Sequence, residues 1–316
     1  MKIDYVTSHL STLADIDFSK FLGDGFILQN PMDNSIWLGC GLEKSDRGIF
    51  FLNSFYNTKF KYLNPKYLVK TSEQELLEFC QKFFSDKLAI REYLNNDEEF
   101  IEDFEQIKSW LASDDALKKI VSVAKAHYRL CNKIHPLSCF EEMLSLNGSV
   151  YGYLNGRQGI IGVSPEPLFV NEGEYWRTRS LAGTISTSTE GYVELLSNDP
   201  KECIEHNFVI QDIEGQLSKI SKNILRQKTF VRDFGDIAHL QTDILFNGTD
   251  IDIKKIIEAL NPTAALGGYP RDLSNVFLKK LNYFKYDESG RYFGGVIGME
   301  TEQVKFGVVA VRGFYW

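Results

Sequence analysis

The segment KECIEHNFVIQDI, residues 201–213, carries three carboxylates on a predicted helix. Glu202 and Glu205 are three residues apart and Asp212 is seven residues beyond Glu205, so all three can share part of one polar face. Such a face suits a divalent cation that takes oxygen ligands from carboxylates, substrate and water. His206 points away from Glu205 and no other His or Cys stands at ligand spacing, which disfavours zinc. A charged, solvent-exposed face is the competing interpretation. The helix itself is predicted from an apolar stripe: Ile204, Phe208, Ile210 and Ile213.

A fourth carboxylate, Glu166, lies in the segment IIGVSPEPLFV, residues 160–170. It follows an apolar, strand-like run and a small, turn-forming Ser-Pro pair. A carboxylate at a strand end can point into a cleft, which makes Glu166 a candidate site residue. On this segment alone, a solvated loop carboxylate is the commoner interpretation.

Glycines in two further segments could bring the backbone close to a ligand. Gly183 in RSLAGTIST permits close approach or a positive φ. Gly267 and Gly268 in NPTAALGGYPRD could offer exposed amides to a carboxylate. Taken alone, the Gly183 segment is better explained as an ordinary turn, and a Gly-rich turn such as the second is weak evidence for binding. Neither segment has the spacing of a nucleotide-binding loop. Arg312, in the strand-like VVAVRGF, could form a bidentate pair with a substrate carboxylate, whereas a lone Arg is more often a surface ion-pair partner.

The elements that would position these residues predict an α+β fold. Strand-like runs occupy residues 25–29, 35–39, 48–52, 159–162, 168–170 and 304–311. Helix-like stretches occupy residues 72–84, 98–112, 114–127, 137–146, 200–225 and 251–260. Because strands and helices do not alternate regularly, we expect large, mainly antiparallel sheets with helices packed outside. No linker composition divides the chain, so we expect one domain over residues 1–316, with residues 1–95 the less distinctive part.

Composition narrows the function classes. The net charge of −8 and the lack of a Lys/Arg block disfavour nucleic acid as a partner and leave a small metabolite as the default. Five Cys without a C-x-x-C pair fit reduced thiols and a cytoplasmic location. The sequence shows neither a signal-peptide pattern nor an apolar run of membrane-spanning length, so no membrane association is expected.

The order of these segments resembles one known family. GVSPEPL, SLAGT, KECIEH, HLQTDI, NPTAALGGYPR, RYFGGVIG and VAVRG are similar, in that order, to the signature of the chorismate-utilising enzymes. That family includes isochorismate synthases, salicylate synthases and the large subunits of anthranilate and aminodeoxychorismate synthases. The resemblance covers residues 115–316 and implies the anthranilate synthase component I-like fold.

Within the family, the sequence looks most like an isochorismate synthase. LKKIVSVAK places Lys119 where the resemblance puts the Lys of isochorismate and salicylate synthases, and ammonia-using members carry Gln there. Lys118 adjoins it, but Lys119 is favoured because Ile120 and Val121 then occupy the motif's apolar pair. SLAGT lacks the Lys of the aminodeoxychorismate synthase motif. The resemblance thus implies water as nucleophile and no glutamine amidotransferase subunit.

The resemblance also implies a role for each site residue. Lys119 would be the general base on water attacking C2 of chorismate, which requires a neutral amine and hence a lowered pKa. Glu166 would protonate the departing C4 hydroxyl. Mg²⁺ would hold the ring carboxylate through Glu205, with Glu202 as an additional candidate ligand. The remaining implied residues bind or orient the substrate: Gly183, Thr184, His239, Thr242, Gly267, Gly268 and Arg312.

The sequence departs from the family pattern at its C-terminal end. Family members continue past the last strand into a segment that supplies a further carboxylate to magnesium, and this sequence ends at Trp316 before that segment. We therefore expect Glu205 alone to hold magnesium weakly. In an active enzyme, carboxylates such as Glu202 or Asp212 would compensate. Two hypotheses remain open: an active isochorismate synthase, or a catalytically impaired or altered relative that binds chorismate or a protein partner.

Overall fold

The computed structural model of the chain describes residues 12–84, 89–94, 98–124, 126–131, 133, 135–156, 158–248, 251–282 and 292–315. Its contacts divide the chain into two compact units. The first unit comprises Met1–Leu88, Lys133–Glu172 and Tyr292–Trp316, and the second comprises Ala89–Asn132 and Gly173–Arg291. Because each unit combines separated stretches of chain, no single cut in the sequence would part them. The expectation of one domain stays a prediction.

The described residues form strands and helices that alternate irregularly along the chain. The strands are β1 Gly25–Gln29, β2 Ile36–Ser45, β3 Phe50–Asn53, β4 Phe60–Thr71, β5 Ile90–Tyr93, β6 Lys119–Ile120, β7 Tyr128–Leu130, β8 Ser149–Asn155, β9 Gln158–Ser164, β10 Pro167–Glu172, β11 Tyr175–Ser186, β12 Ile224–Arg226, β13 Phe230–Asp233, β14 Ile237–Asn247, β15 Gly268–Tyr269, β16 Val296–Glu300, β17 Lys305–Val309 and β18 Gly313–Tyr315. The α-helices are α1 Phe18–Gly23, α2 Glu73–Phe83, α3 Glu98–Ser113, α4 Phe140–Ser145, α5 Tyr192–Asn198, α6 Pro200–Leu217, α7 Ile253–Leu260 and α8 Arg271–Leu278. Leu13–Asp15 and Pro136–Cys139 are short 3₁₀ helices.

The first unit is an antiparallel sheet in the order β10-β17-β16-β3-β4-β2-β1-β8-β9-β18. Both faces of this sheet are apolar. Ile27 on β1 belongs to a cluster that packs under α1, α2 and α4, whereas its neighbours Phe26 and Leu28 belong to the opposite cluster. Consecutive strand residues point to opposite faces, so a strand buried on both faces is an unbroken apolar run. Each such large side chain contributes about 1.5–3 kcal/mol by burial.

The second unit contains a smaller antiparallel sheet around β14. β11 pairs along one edge of β14, while β12 and β13 pair with successive parts of its other edge. Helix α6 contacts β11 and β14 and begins at the N-cap Asp199, whose side chain accepts a hydrogen bond from the Glu202 amide at 2.9 Å. Two short ladders complete this unit: β5 with β7, and β6 with β15.

The α+β prediction with mainly antiparallel sheets is confirmed, and two predicted helices are wrong. Residues 114–127 were predicted helical, yet Lys119–Ile120 is a strand and Tyr128 begins another. The β-branched Ile120 and Val121 favour extended backbone, and the pairing with β15 stabilises it. The helix predicted over 200–225 ends at Leu217, and β12 begins at Ile224. Among the described residues, no helix is both long and apolar enough to cross a membrane.

Candidate functional site

The centre of the candidate site is an ion pair between β6 and α6. The Nζ atom of Lys119 lies 2.7 Å from Oε1 of Glu205. The Lys119 side chain is 12% exposed and that of Glu205 is 33% exposed, so the pair is shielded on the lysine side and open on the carboxylate side. Lys118 is different: its ammonium donates to the nearby carbonyl of Asp115. The sequence assigned Lys119 and Glu205 separate tasks, and the structure brings them into direct contact.

The loop that contains Gly267 and Gly268 positions Lys119. Gly268 pairs with Ile120 and Tyr269 pairs with Lys119, and the Lys118 amide donates to the Tyr269 carbonyl at 2.9 Å. A side chain at position 268 would collide with the Lys119 carbonyl and would lie 2.6 Å from Cβ of Ser274. Glycine at this position therefore lets the β6 strand approach the loop.

The structure does not show the exposed amide predicted at Gly267, and the carboxylate-binding role of Gly267 and Gly268 stays a prediction. Both residues are buried. The Gly267 amide donates to the Thr263 carbonyl at 2.8 Å, and the Gly267 carbonyl accepts a hydrogen bond from the Val121 amide at 2.8 Å. Buried backbone groups need such partners, and Thr263 of the same loop and Val121 supply them for Gly267. Gly267 and Gly268 hold the Lys119 strand in place.

Replacement of Gly268 by alanine is expected to destabilise the protein by about 1–3 kcal/mol, because the added carbon has no space beside Lys119 and Ser274. Chemical denaturation measures the loss. Gly215→Ala is the matched control: Gly215 lies in α6, and no atom outside the helix backbone lies within 4 Å of the position that an alanine Cβ would occupy. This control is expected to stabilise the helix by about 0.5–1 kcal/mol. Equal effects of the two replacements would contradict the close-approach argument.

Gly183 and Thr184 form a bulge in β11 that meets α6. The register of β11 against β14 shifts between Ala182 and Thr184, and Gly183 has a φ of 79°. The Thr184 amide, turned outward by this bulge, donates to Oε2 of Glu202 at 2.9 Å. Thr184 Oγ1 lies 2.9 Å from Nδ1 of His239 on the paired strand. The structure thus groups four predicted site residues, with the Thr184 side chain exposed and that of His239 half-buried.

Thr242 and His206 form a buried network on the α6 side of the same sheet. Nε2 of His206 lies 2.8 Å from the Thr242 hydroxyl, which lies 2.7 Å from the Thr229 hydroxyl. Thr242 has no exposed surface, so we assign it to this network in place of the predicted substrate contact. Burial lowers the pKa of His206 to about 4. His206 is therefore a neutral residue that ties α6 to the sheet.

The buried His206 predicts a specific pH dependence of stability. Its pKa is about 4 in the folded protein and 6.5 ordinarily, so the unfolded chain binds more protons between these values. The free energy of unfolding should fall by about 1.4 kcal/mol per pH unit from this residue as pH drops from about 6.5 to 4. Urea denaturation across that range measures the free energy of unfolding at each pH. Its slope against pH should be shallower for His206→Gln than for the wild type. Identical slopes would show that His206 does not carry this effect.

Asp212 does not take part in the polar face predicted for it. Its two oxygens accept hydrogen bonds from Arg271, at 2.9 Å from Nε and 2.6 Å from NH2, and the Ala264 amide donates to it at 3.1 Å. The Asp212 side chain is 2% exposed. The proposed compensation by Asp212 as a metal ligand is therefore wrong, because the side chain is buried and both of its oxygens already accept hydrogen bonds within the protein.

The predicted apolar stripe of α6 is also partly wrong. Ile204 is 53% exposed, whereas the polar His206 and Asp212 are buried. Because the buried face of the helix contains two polar residues with partners, hydrophobic periodicity could not locate it. Ile210 and Ile213 are buried as predicted.

Glu166 and Arg312 lie in the first unit. Glu166 is 7% exposed and lies between β9 and β10, where its amide donates to Ser164 Oγ at 3.2 Å and its carbonyl accepts from the Val309 amide at 3.0 Å. Arg312 was predicted on a strand, but it occupies the connection between β17 and β18 with a φ of 52°. The Val163 amide donates to its carbonyl at 3.2 Å, and its side chain is exposed. The left-handed backbone redirects the side chain relative to a regular strand.

The residues on α6 fit magnesium only in part. Magnesium is commonly held by one or two carboxylates together with water and substrate oxygens. Glu205 is partly exposed and contacts Lys119 through its Oε1 atom. Glu202 already receives the Thr184 amide and lies 2.6 Å from Nζ of Lys201. The described part of the chain holds no group of three or more His, Cys, Asp or Glu suited to a metal ion. The donor set therefore suits a cation that water and substrate help to hold.

Three residues of this region make contacts that the sequence did not predict. The ring of Phe208 stacks on that of Tyr269 with centroids 5.1 Å apart, and the Tyr269 hydroxyl donates to Gln211 at 3.1 Å. These contacts fasten the Lys119-bearing ladder to α6. Phe208 and Gln211 are three residues apart on one helix, but their partner is 58 residues from Gln211, so no local pattern indicates the contact.

Known proteins with similar sequences are mainly isochorismate synthases. The isochorismate synthase MenF of Haemophilus influenzae is 28% identical over 211 residues, which are 63% of this chain and 47% of that protein. The vibriobactin-specific isochorismate synthase of Vibrio cholerae is 26% identical over 167 residues, 49% of this chain and 41% of that protein. Anthranilate synthase component 1 of Streptomyces coelicolor is 26% identical over 216 residues, 63% of this chain and 40% of that protein. The matched segments span less than half of each of these relatives.

Solved structures share the fold at low identity. The menaquinone-specific isochorismate synthase MenF of Escherichia coli superposes with a TM-score of 0.77 at 18% identity, covering 96% of this chain and 84% of that one. Anthranilate synthase component I of Streptococcus pneumoniae gives a TM-score of 0.61 at 14% identity, covering 92% and 82%. The anthranilate synthase component I-like fold is thereby confirmed.

The sequence profile of the chorismate binding enzymes matches residues 44–313. This match includes every residue assigned above to the candidate site. The chain therefore belongs to the family of chorismate binding enzymes.

Proposed function

We propose that this chain converts chorismate to isochorismate. The observation that carries the proposal is the pair of Lys119 and Glu205, which places an amine beside a partly exposed carboxylate. The family resemblance puts the general base at Lys119, and related proteins from Haemophilus influenzae and Vibrio cholerae are named isochorismate synthases.

In the proposed reaction, the ring loses one hydroxyl and gains another. Lys119, as the neutral amine, accepts a proton from the water that attacks C2. Both ring double bonds shift, and the C4 hydroxyl departs as water with the proton that the family resemblance assigns to Glu166. One water enters and one leaves, so isochorismate is an isomer of chorismate. Acid and base catalysis of this kind contributes about 10²–10⁴-fold each.

The other site residues would bind and orient the dicarboxylate substrate. Arg312 carries a guanidinium, a group suited to bidentate pairing with a carboxylate. Thr184 and His239 offer a hydroxyl and an imidazole on adjacent strands. Bound at Glu205, magnesium would neutralise charge on the substrate carboxylate. Orientation by such groups lowers the entropic barrier of the reaction.

The proposal is tested by incubating the purified protein with chorismate and Mg²⁺, followed by chromatography. Isochorismate formed without glutamine, ammonia or a second subunit is the expected product. Salicylate with pyruvate would place the chain with the salicylate synthases. Binding of chorismate without turnover would refute the proposed enzymatic activity and favour a protein that binds chorismate or a protein partner.

A further inference from the structure

Each of the two glutamates on α6 that could bind a cation already forms an ion pair with a lysine. Glu205 is paired with Lys119 at 2.7 Å, and Glu202 is paired with Lys201 at 2.6 Å. The two lysines differ in their surroundings. Lys119 is 12% exposed, whereas Lys201 is 80% exposed and can move into solvent. An exposed ion pair is weak, so the Lys119–Glu205 pair is the stronger of the two.

The backbone holds Lys119 close to Glu205. Its strand is paired with β15, and at Gly268 the two strands lie too close together to leave room for a side chain. Tyr269, the partner of Lys119 in this ladder, stacks on Phe208 of α6, the helix that carries Glu205. The ammonium is thus confined near the carboxylate by contacts on both elements.

An ammonium and a divalent cation compete for the same carboxylate. Both take the oxygen lone pairs of Glu205, and like charges a few ångströms apart repel each other strongly where solvent is partly excluded. A cation at Glu205 therefore requires Lys119 to move away from it.

We propose that Lys119 is an internal competitor for the divalent cation at Glu205 and leaves the carboxylate when the cation binds. This inference rests on the proposed function, because it assumes the Glu205 cation site. Lys119 would be held by Glu205 in the cation-free protein and turned toward substrate only in the cation-bound protein. Thermodynamic linkage makes the effect reciprocal. Contacts that hold Lys119 at Glu205 weaken binding of the cation, and binding of the cation weakens the contact between Lys119 and Glu205.

Divalent cation affinity in the absence of chorismate tests the proposal. Mn²⁺ binding would be titrated by electron paramagnetic resonance for the wild type and for Lys119→Met, which keeps most of the side-chain volume without the charge. Loss of the competing charge is expected to tighten Mn²⁺ binding by about tenfold or more. Lys119→Arg, which keeps a cation there, is expected to bind no more tightly than the wild type.

Lys201→Met is the matched control, since it removes the exposed lysine from the neighbouring glutamate. It is expected to change Mn²⁺ affinity by less than about threefold. Unchanged or weaker binding in Lys119→Met, with its folding verified by circular dichroism, would overturn the proposal, as would an absence of Mn²⁺ binding in every variant. Failure of the chorismate assay with Mn²⁺ affinity tightened as expected would refute the proposed function and leave the competition standing.

Discussion

The Lys119→Met protein is expected to form isochorismate about 10²–10⁴ times more slowly than the wild type at saturating chorismate, because methionine cannot accept the proton from the attacking water. The loss should fall mainly on kcat, since Lys119 takes part in the chemical step of the proposed mechanism. Steady-state kinetics with chromatographic detection of isochorismate measures it. Methionine keeps the alkyl packing of the lysine stem, so the fold should survive.

Lys118→Met is the matched control for this result. The two lysines are adjacent, but the Lys118 ammonium contacts the Asp115 carbonyl while Lys119 contacts Glu205. Lys118→Met is expected to retain kcat within about threefold. If Lys118→Met were inactive and Lys119→Met active, the assignment of the base to Lys119 would be wrong. Equal, near-wild-type rates for both variants would remove lysine from the mechanism.

Arg271→Met is expected to lower the free energy of unfolding by about 3–5 kcal/mol, because it leaves the Asp212 carboxylate buried without its cation. The Arg271 side chain is 9% exposed and that of Asp212 is 2% exposed. The guanidinium also donates to the carbonyls of Ala259 and Leu260 at the end of α7. One replacement therefore removes hydrogen bonds to α6 and α7 together. Urea denaturation monitored by circular dichroism measures the loss.

The double variant Asp212→Leu/Arg271→Met distinguishes two causes of destabilisation: an unpaired buried charge and loss of the ion pair itself. Replacement of both partners by apolar residues is often close to neutral, so the double variant should be more stable than Arg271→Met alone. Arg226→Met, which removes a 52% exposed arginine from Glu214, is the surface control and should cost less than about 1 kcal/mol. A similarly small loss in Arg271→Met would contradict the assignment of Arg271 as a structural residue.

Local sequence patterns predicted the elements that are buried in a regular way. β1 was predicted over 25–29 and is observed as Gly25–Gln29, and α7 was predicted over 251–260 and is observed as Ile253–Leu260. Both consist of unbroken or periodic apolar residues that pack against a neighbour. The prediction of a helix over 114–127 was wrong because the β6 strand in this segment is stabilised by pairing with β15, which lies almost 150 residues further along the chain.

The sequence by itself determined the family, the fold class and the identity of the segments that carry Lys119, Glu166 and Glu205, because ordered motifs are a property of the chain. Only the tertiary structure decided what each residue contacts. It paired Lys119 with Glu205, placed Gly268 opposite Ile120 in a strand pair, and bonded Asp212 to Arg271. The physical reason is that a carboxylate or amide has few hydrogen-bonding positions, and folding determines which distant group occupies them.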